Sequence, residues 1–239
     1  MTHSQRRQVI LGGAASLCVA GTLTMVKVAR QAFPLSSAAG APMEEVPAVA
    51  PTFRTLVVST DAGMLAAWNP KQFATVVDYD TWERELLEDK DILRHVRDGN
   101  LVPINIGRDF AAGVTVRIEP LADPKLSERE ARYLFLSSEP YLYVSDAEMC
   151  VSGIESIDRD PDPSRVISIA PGRYQVTIHM LDWDDEPGAK DESGRPTANA
   201  LSDFLILVSP EPTPNSVYRV ELETFDRSKI RRKLLKRPG

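Results

Sequence analysis

Histidine and cysteine are nearly missing from this chain, and their scarcity removes most metal and nucleophile chemistry at the outset. His3, His95 and His179, with Cys18 and Cys150, are the full set in 239 residues. Zinc sites gather several such ligands at short spacing, and no such grouping occurs. Two cysteines are too few for a disulfide scaffold: Cys18 falls in an apolar stretch, and Cys150, alone in the remainder, reads as a small core residue. No G-x-S-x-G elbow is present to carry a serine hydrolase. Long polar tracts are also lacking, which excludes disorder of the whole chain. Glycine (13) is outnumbered by proline (18), a balance that favours edges and turns over helical bundles.

Acidic residues are missing from both ends. Before Glu44 there are none, and from Arg227 to the last residue there are seven bases and no acid. All 34 acids therefore lie between Glu44 and Asp226, where they face 17 of the 28 bases and leave that body with a formal charge of −17. Such an excess disfavours nucleic acid, whose phosphates demand cations, and suits a basic protein partner, cations or simple solubility.

Arg6-Arg7 precede an uncharged, mostly apolar run from Gln8 to Val26, close to the ~20 residues that cross a bilayer. The row Ser4-Gln5-Arg6-Arg7-Gln8-Val9-Ile10 resembles a twin-arginine export signal. Residues 1–30 are expected to be an export signal or membrane anchor, which places the protein in the periplasm or on the inner membrane facing it. Residues 31–51, rich in Ala, Pro and Ser, read as a linker; 52–225 form an acidic β-rich domain, and 226–239 a basic tail.

Within the domain, strand signals dominate. Phe53–Ser59, Met64–Trp68, Leu101–Ile106 and Val114–Ile118 are followed by 131–136 and Tyr141–Val144, joined as a hairpin by Ser-Ser-Glu-Pro. Met149–Ile157, Arg165–Ile169, Tyr174–Met180, Leu201–Val208 and Val217–Leu222 complete the set. One helix is predicted over 81–97, capped by Asp80 with Glu83 in support, with Trp82, Leu86, Leu93 and Val96 forming its stripe and Gly99 its stop. The fold class is mainly β: a β-sandwich or partly open barrel with one packed amphipathic helix, preceded by the targeting segment.

Asp158-Arg-Asp160-Pro-Asp162 begins like a calcium loop, but Pro163 stands where an EF-hand needs glycine and Ile169 replaces the closing glutamate. No metal and no cofactor is expected. The loop from Asp182 to Asn199 is long and acidic, and Asp182, Asp184, Asp185, Glu186, Asp191 and Glu192 are the candidate binding residues.

Ile167-Ser-Ile-Ala-Pro-Gly-Arg-Tyr-Gln-Val-Thr-Ile178, the acidic loop and Asp203-Phe-Leu-Ile-Leu-Val208 together resemble, over about forty residues, the C-terminal half of small acidic bacterial β-sandwich inhibitor and immunity proteins of the competence protein J type. The resemblance implies a non-catalytic binding module for a basic protein partner, and it transfers no functional residue. Two other readings stand beside it. One is an envelope protein whose basic tail meets lipid, and the other a hydrolase using His179 with Asp182 or Asp184.

Overall fold

The computed structural model describes residues 50–214 and 216–227; the expected export segment, most of the linker and all but the first two residues of the basic tail lie outside them. In chain order the elements are β1 (Thr52–Thr60), β2 (Met64–Trp68), α1 (Tyr79–Leu86), α2 (Asp89–Asp98), β3 (Leu101–Asn105), β4 (Phe110–Ile118) and α3 (Glu128–Arg132). Then come β5 (Leu134–Ser137), β6 (Tyr141–Ser145), β7 (Glu148–Gly153), β8 (Val166–Ser168), β9 (Gly172–Leu181) and β10 (Phe204–Pro210).

These strands form two separate sheets, not a closed barrel. The first runs β1-β4-β10-β9, with β5 and β6 both on the far side of β9. The second runs β3-β2-β7-β8. All neighbours are antiparallel except β4 and β10, which run parallel from Phe204↔Val114 to Val208↔Ile118. Alternation dictates the inner face of the first sheet: Val114 and Val116, Ile206 and Val208, and Val176 and Ile178 are all buried, as period-2 strands require. They share one core with Trp68, Phe73 and Tyr143. All five residues of β2 are buried.

The first sheet is covered on its other face too. Leu205, Leu207, Arg117 and His179 alternate with the inner residues yet are also buried. Glu130 of α3 reaches Arg117, and Ser202 reaches Thr115 (Oγ···Oγ 2.7 Å), so α3 and the residues before β10 close over this face.

Five sequence expectations change. The single helix is two, broken at Glu88, whose extended backbone (φ −96°, ψ 140°) starts α2. At 100° per residue the step from Leu86 to Ile92 turns the apolar face by about 120°, so one straight helix cannot bury both; the break lets Leu86, Ile92 and Val96 all reach the core. The cap is Asp78, which accepts from the Thr81 amide in a reciprocal box, and not Asp80. Gly99 does end α2, at φ 76°, and a Cβ there would meet Val144 and Leu142 within 3 Å.

The expected hairpin at Ser137-Ser138-Glu139-Pro140 is absent. Its two arms continue one edge, pairing in turn with the upper and lower halves of β9. Ser138 bridges the interruption, its amide donating to Ile178 O and its hydroxyl accepting from Ile178 N. Ala131 and Arg132, expected to open the strand 131–136, instead end α3, which starts behind a Ser127–Glu130 capping box. Finally, 217–222 is no strand, and Val217 is 92% exposed.

Candidate functional site

The loop after β9 opens with a single 3-10 turn, Trp183–Asp185, which turns Asp182, Asp184 and Asp185 toward one another. One carboxylate oxygen from each lies within 4.8 Å of the others. The charge of this cluster is met from within the chain. Arg227 places Nη1 2.8 Å from Asp182 Oδ1 and 3.0 Å from Asp184 Oδ1, and donates from Nη2 to Leu181 O at 2.5 Å. Lys190 adds a second cation 3.8 Å from Asp184. Burial, with the Asp184 carboxylate beside it, holds Asp182 above the usual carboxylate range. Burial also opposes ionisation of Asp184, but hydrogen bonds from Asp182 and Arg227 hold it below that range.

The other three candidates lie apart from this trio. Glu186 is gripped by both arms of the Arg129 guanidinium, each at 2.7 Å, and those bonds lower its pKa. Asp191 accepts from the amides of Arg195 and Ser193 and from Arg195 Nε, and the Arg195 amide leads in lowering its pKa. Glu192 is exposed. The loop is therefore less a free acidic surface than a segment pinned by Arg129, Arg195 and Arg227, and sequence reading had assigned Arg227 to the tail.

Replacing Arg227 with Ala leaves two partly buried carboxylates facing each other without their shared cation. Such removal costs about 2–3 kcal/mol. The urea midpoint should fall accordingly and amide exchange should quicken across 182–199. An unchanged midpoint would show that the guanidinium contributes nothing there.

His179, the hydrolase candidate, lies on an interior strand and is only 7% exposed. Its Nδ1 meets Ser137 Oγ at 2.7 Å across the β5–β9 pair. Burial drives its pKa down to about 4, with Glu130 pulling it up and Arg117 pushing it down. Its hydrogen-bond partner is thus Ser137 and its charged neighbours come from α3 and β4, whereas Asp182 and Asp184 are held by Arg227. The acid–base pair that a hydrolase reading needs is not assembled. Nothing in the spacing of Arg117, Glu130, Ser137 and His179 signals that the fold gathers them.

Cys150 is buried and its thiol is pushed up to about 12, chiefly by burial, so it is inert at neutral pH. Asp158 and Asp162 each accept the amide two residues on, and Asp160 pairs with Arg159. These turns account for the calcium-like spacing.

No family model and no curated protein matches the chain. Among solved structures, one described as "Crocagin biosynthetic gene J" is similar, with 13% identity and a TM-score of 0.47, covering 68% of this chain and 99% of its own. ComJ from Bacillus subtilis, described as the inhibitor of the DNA degrading activity of NucA, is similar with 9% identity and a TM-score of 0.39, covering 68% of this chain and all of its own. The resemblance read from residues 167–208 thus has a structural counterpart, and no role passes to this chain from overlaps of that size.

Proposed function

We propose that this domain is a non-catalytic binding module of the inhibitor or immunity type, which holds a basic protein partner outside the cytoplasm. The observation that carries the reading is where the unneutralised acid lies. The loop 182–199 has six acids, but four bases pair within it. Residues 78–91, around α1 and the start of α2, carry seven acids against two bases, and 155–165 carry four against two. Most of those acids are exposed. A field of that sign speeds encounter with a cationic surface and selects against anionic ones more than it adds affinity. The export-like row around Arg6-Arg7 supports the location.

The test is affinity capture with the full chain from its native cells at about 50 mM and about 500 mM salt, which spans a severalfold change in screening length. A basic protein retained at low salt, and associating more slowly with the purified chain as salt rises, is the expected result. Retention of only acidic proteins, or salt-independent association, would overturn it. Cell fractionation checks the location separately, and recovery of the chain from the cytoplasm alone would remove it.

A further inference from the structure

Beside α1 lies an open cleft of ≈ 350 Å³ whose walls combine aromatic faces with carboxylates. Tyr79 and Trp82, three apart on the helix, stack with ring centroids 5.9 Å apart and planes 22° from parallel. Trp82 is fixed by its indole N–H, which donates to Ile154 O at 2.9 Å, while Tyr79 remains 66% exposed. Buried Val76 and Ile157 floor the cleft. Its rim carries Asp78, Glu155 and Asp158, and no Lys or Arg lines it.

All three carboxylates are locked in place. Asp78 caps α1, and the Thr81 hydroxyl and amide bonds hold its pKa low. Glu155 accepts from Thr60 Oγ1 and the Asp61 amide. Asp158 accepts from the Asp160 amide. The rim is therefore fixed negative charge around a preformed aromatic wall.

A large exposed tyrosine beside a half-exposed tryptophan calls for a flat or cationic occupant. A nucleobase would stack, but its phosphate would meet three carboxylates. A cation over an aromatic face, neutralised by carboxylates at the edge, satisfies both halves of the lining. Resting on the binding-module reading above, we infer that this cleft receives a guanidinium or ammonium side chain of the basic partner, and that the binding face is the α1 side of the domain rather than the loop 182–199.

The full chain, labelled with ¹⁵N, is titrated with N-acetyl-arginine methylamide, its neutral citrulline counterpart and AMP. The Trp82 indole N–H and the amides of 76–82 and 155–158 are followed. The arginine probe should saturate these signals with an affinity three- to tenfold above citrulline. Tyr79→Ala should abolish the difference, and Tyr79→Phe, which keeps the ring face, should retain it; Tyr79 is exposed, so both variants fold. Equal affinity for arginine and citrulline, preference for AMP, or indifference to Tyr79→Ala overturns the assignment. If the basic partner is captured equally by wild type and Tyr79→Ala while the arginine probe does not bind, the cleft assignment falls and the binding-module reading stands. If the probe binds as expected and no basic partner exists, the reverse holds.

Discussion

Acidification from pH 7 to pH 4 should remove roughly 3 kcal/mol of folding stability through His179 alone. Its ring is buried, and burial pushes its pKa down from the free-imidazole value of about 6.5 to about 4; each unit of displacement corresponds to about 1.4 kcal/mol. The sign follows from which form the fold accepts. Folding favours the neutral imidazole, so the stabilisation is complete above the unfolded pKa near 6.5. It drains away as pH falls through the folded value, because the unfolded chain takes up the proton first. Carboxylates with lowered pKa, such as Glu186 and Asp191, add a separate loss at more acid pH. The difference between wild type and His179→Gln isolates the histidine: in urea unfolding, the gap between the two proteins should change by about 3 kcal/mol between pH 7 and pH 4. A gap that moves by less than about 1 kcal/mol would mean that the ring is already protonated or solvated in the fold.

The largest single-residue effect is expected at Arg117. This residue is 5% exposed on β4; both Nη atoms are hydrogen-bonded, and Nε makes an ion pair without a hydrogen bond. Nε lies 3.0 Å from Glu119, Nη1 bonds both oxygens of Glu130 at 3.0 and 2.8 Å, and Nη2 donates to Lys125 O at 2.8 Å. Arg117→Ala strips the cation from largely buried carboxylates and unpins the segment leading to α3. Removing one partner of such a buried pair costs about 3–5 kcal/mol. Lysine should rescue little, since one ammonium nitrogen cannot serve Glu119, Glu130 and Lys125 O at once, as the three guanidinium nitrogens do. Coupling Arg117→Met with Glu130→Gln removes both charges and should recover a good part of the loss. Thermal and urea unfolding of the four proteins measure this, and a single-variant loss below about 1 kcal/mol would contradict the arrangement.

What the sequence disclosed, and what it hid, divides along the reach of the interactions. Strand composition and alternation are local signals; they located β1 and β9 within a residue or two and the end of β4, whose start lies four residues before Val114. The break at Glu88 needed geometry: the apolar stripe reads as one helix until the rotation between Leu86 and Ile92 is reckoned. Val217 to Leu222 has strand composition but no ladder. Its neighbourhood is held by isolated bonds, Arg219 N to Pro140 O and Tyr141 Oη between Glu221 O and Glu223 N, so propensity had nothing to pair with. The pairing within the candidate loop was hidden for a similar reason. Counting acids between 182 and 199 marks a negative loop, but the arginines that neutralise it include Arg129 and Arg227, distant in sequence on either side. Asp158 was visible as one of an alternating trio of aspartates; its association with Tyr79 and Trp82 was not, because Trp82 reads only as part of a helix stripe and Tyr79 falls before the predicted helix.

The order of strands in the first sheet bears on how the chain is made. β10 sits between β4 and β9, so neither neighbour has its partner on that side until residues 204–210 exist. During synthesis, or in any fragment stopped before Phe204, both would present bare backbone edges and the apolar faces of Val116 and Ile178. Parallel closure between segments about ninety positions apart is entropically slow. A nascent chain of this design therefore stays incomplete, and open to chaperones, secretion machinery or aggregation, until β10 slides into the middle.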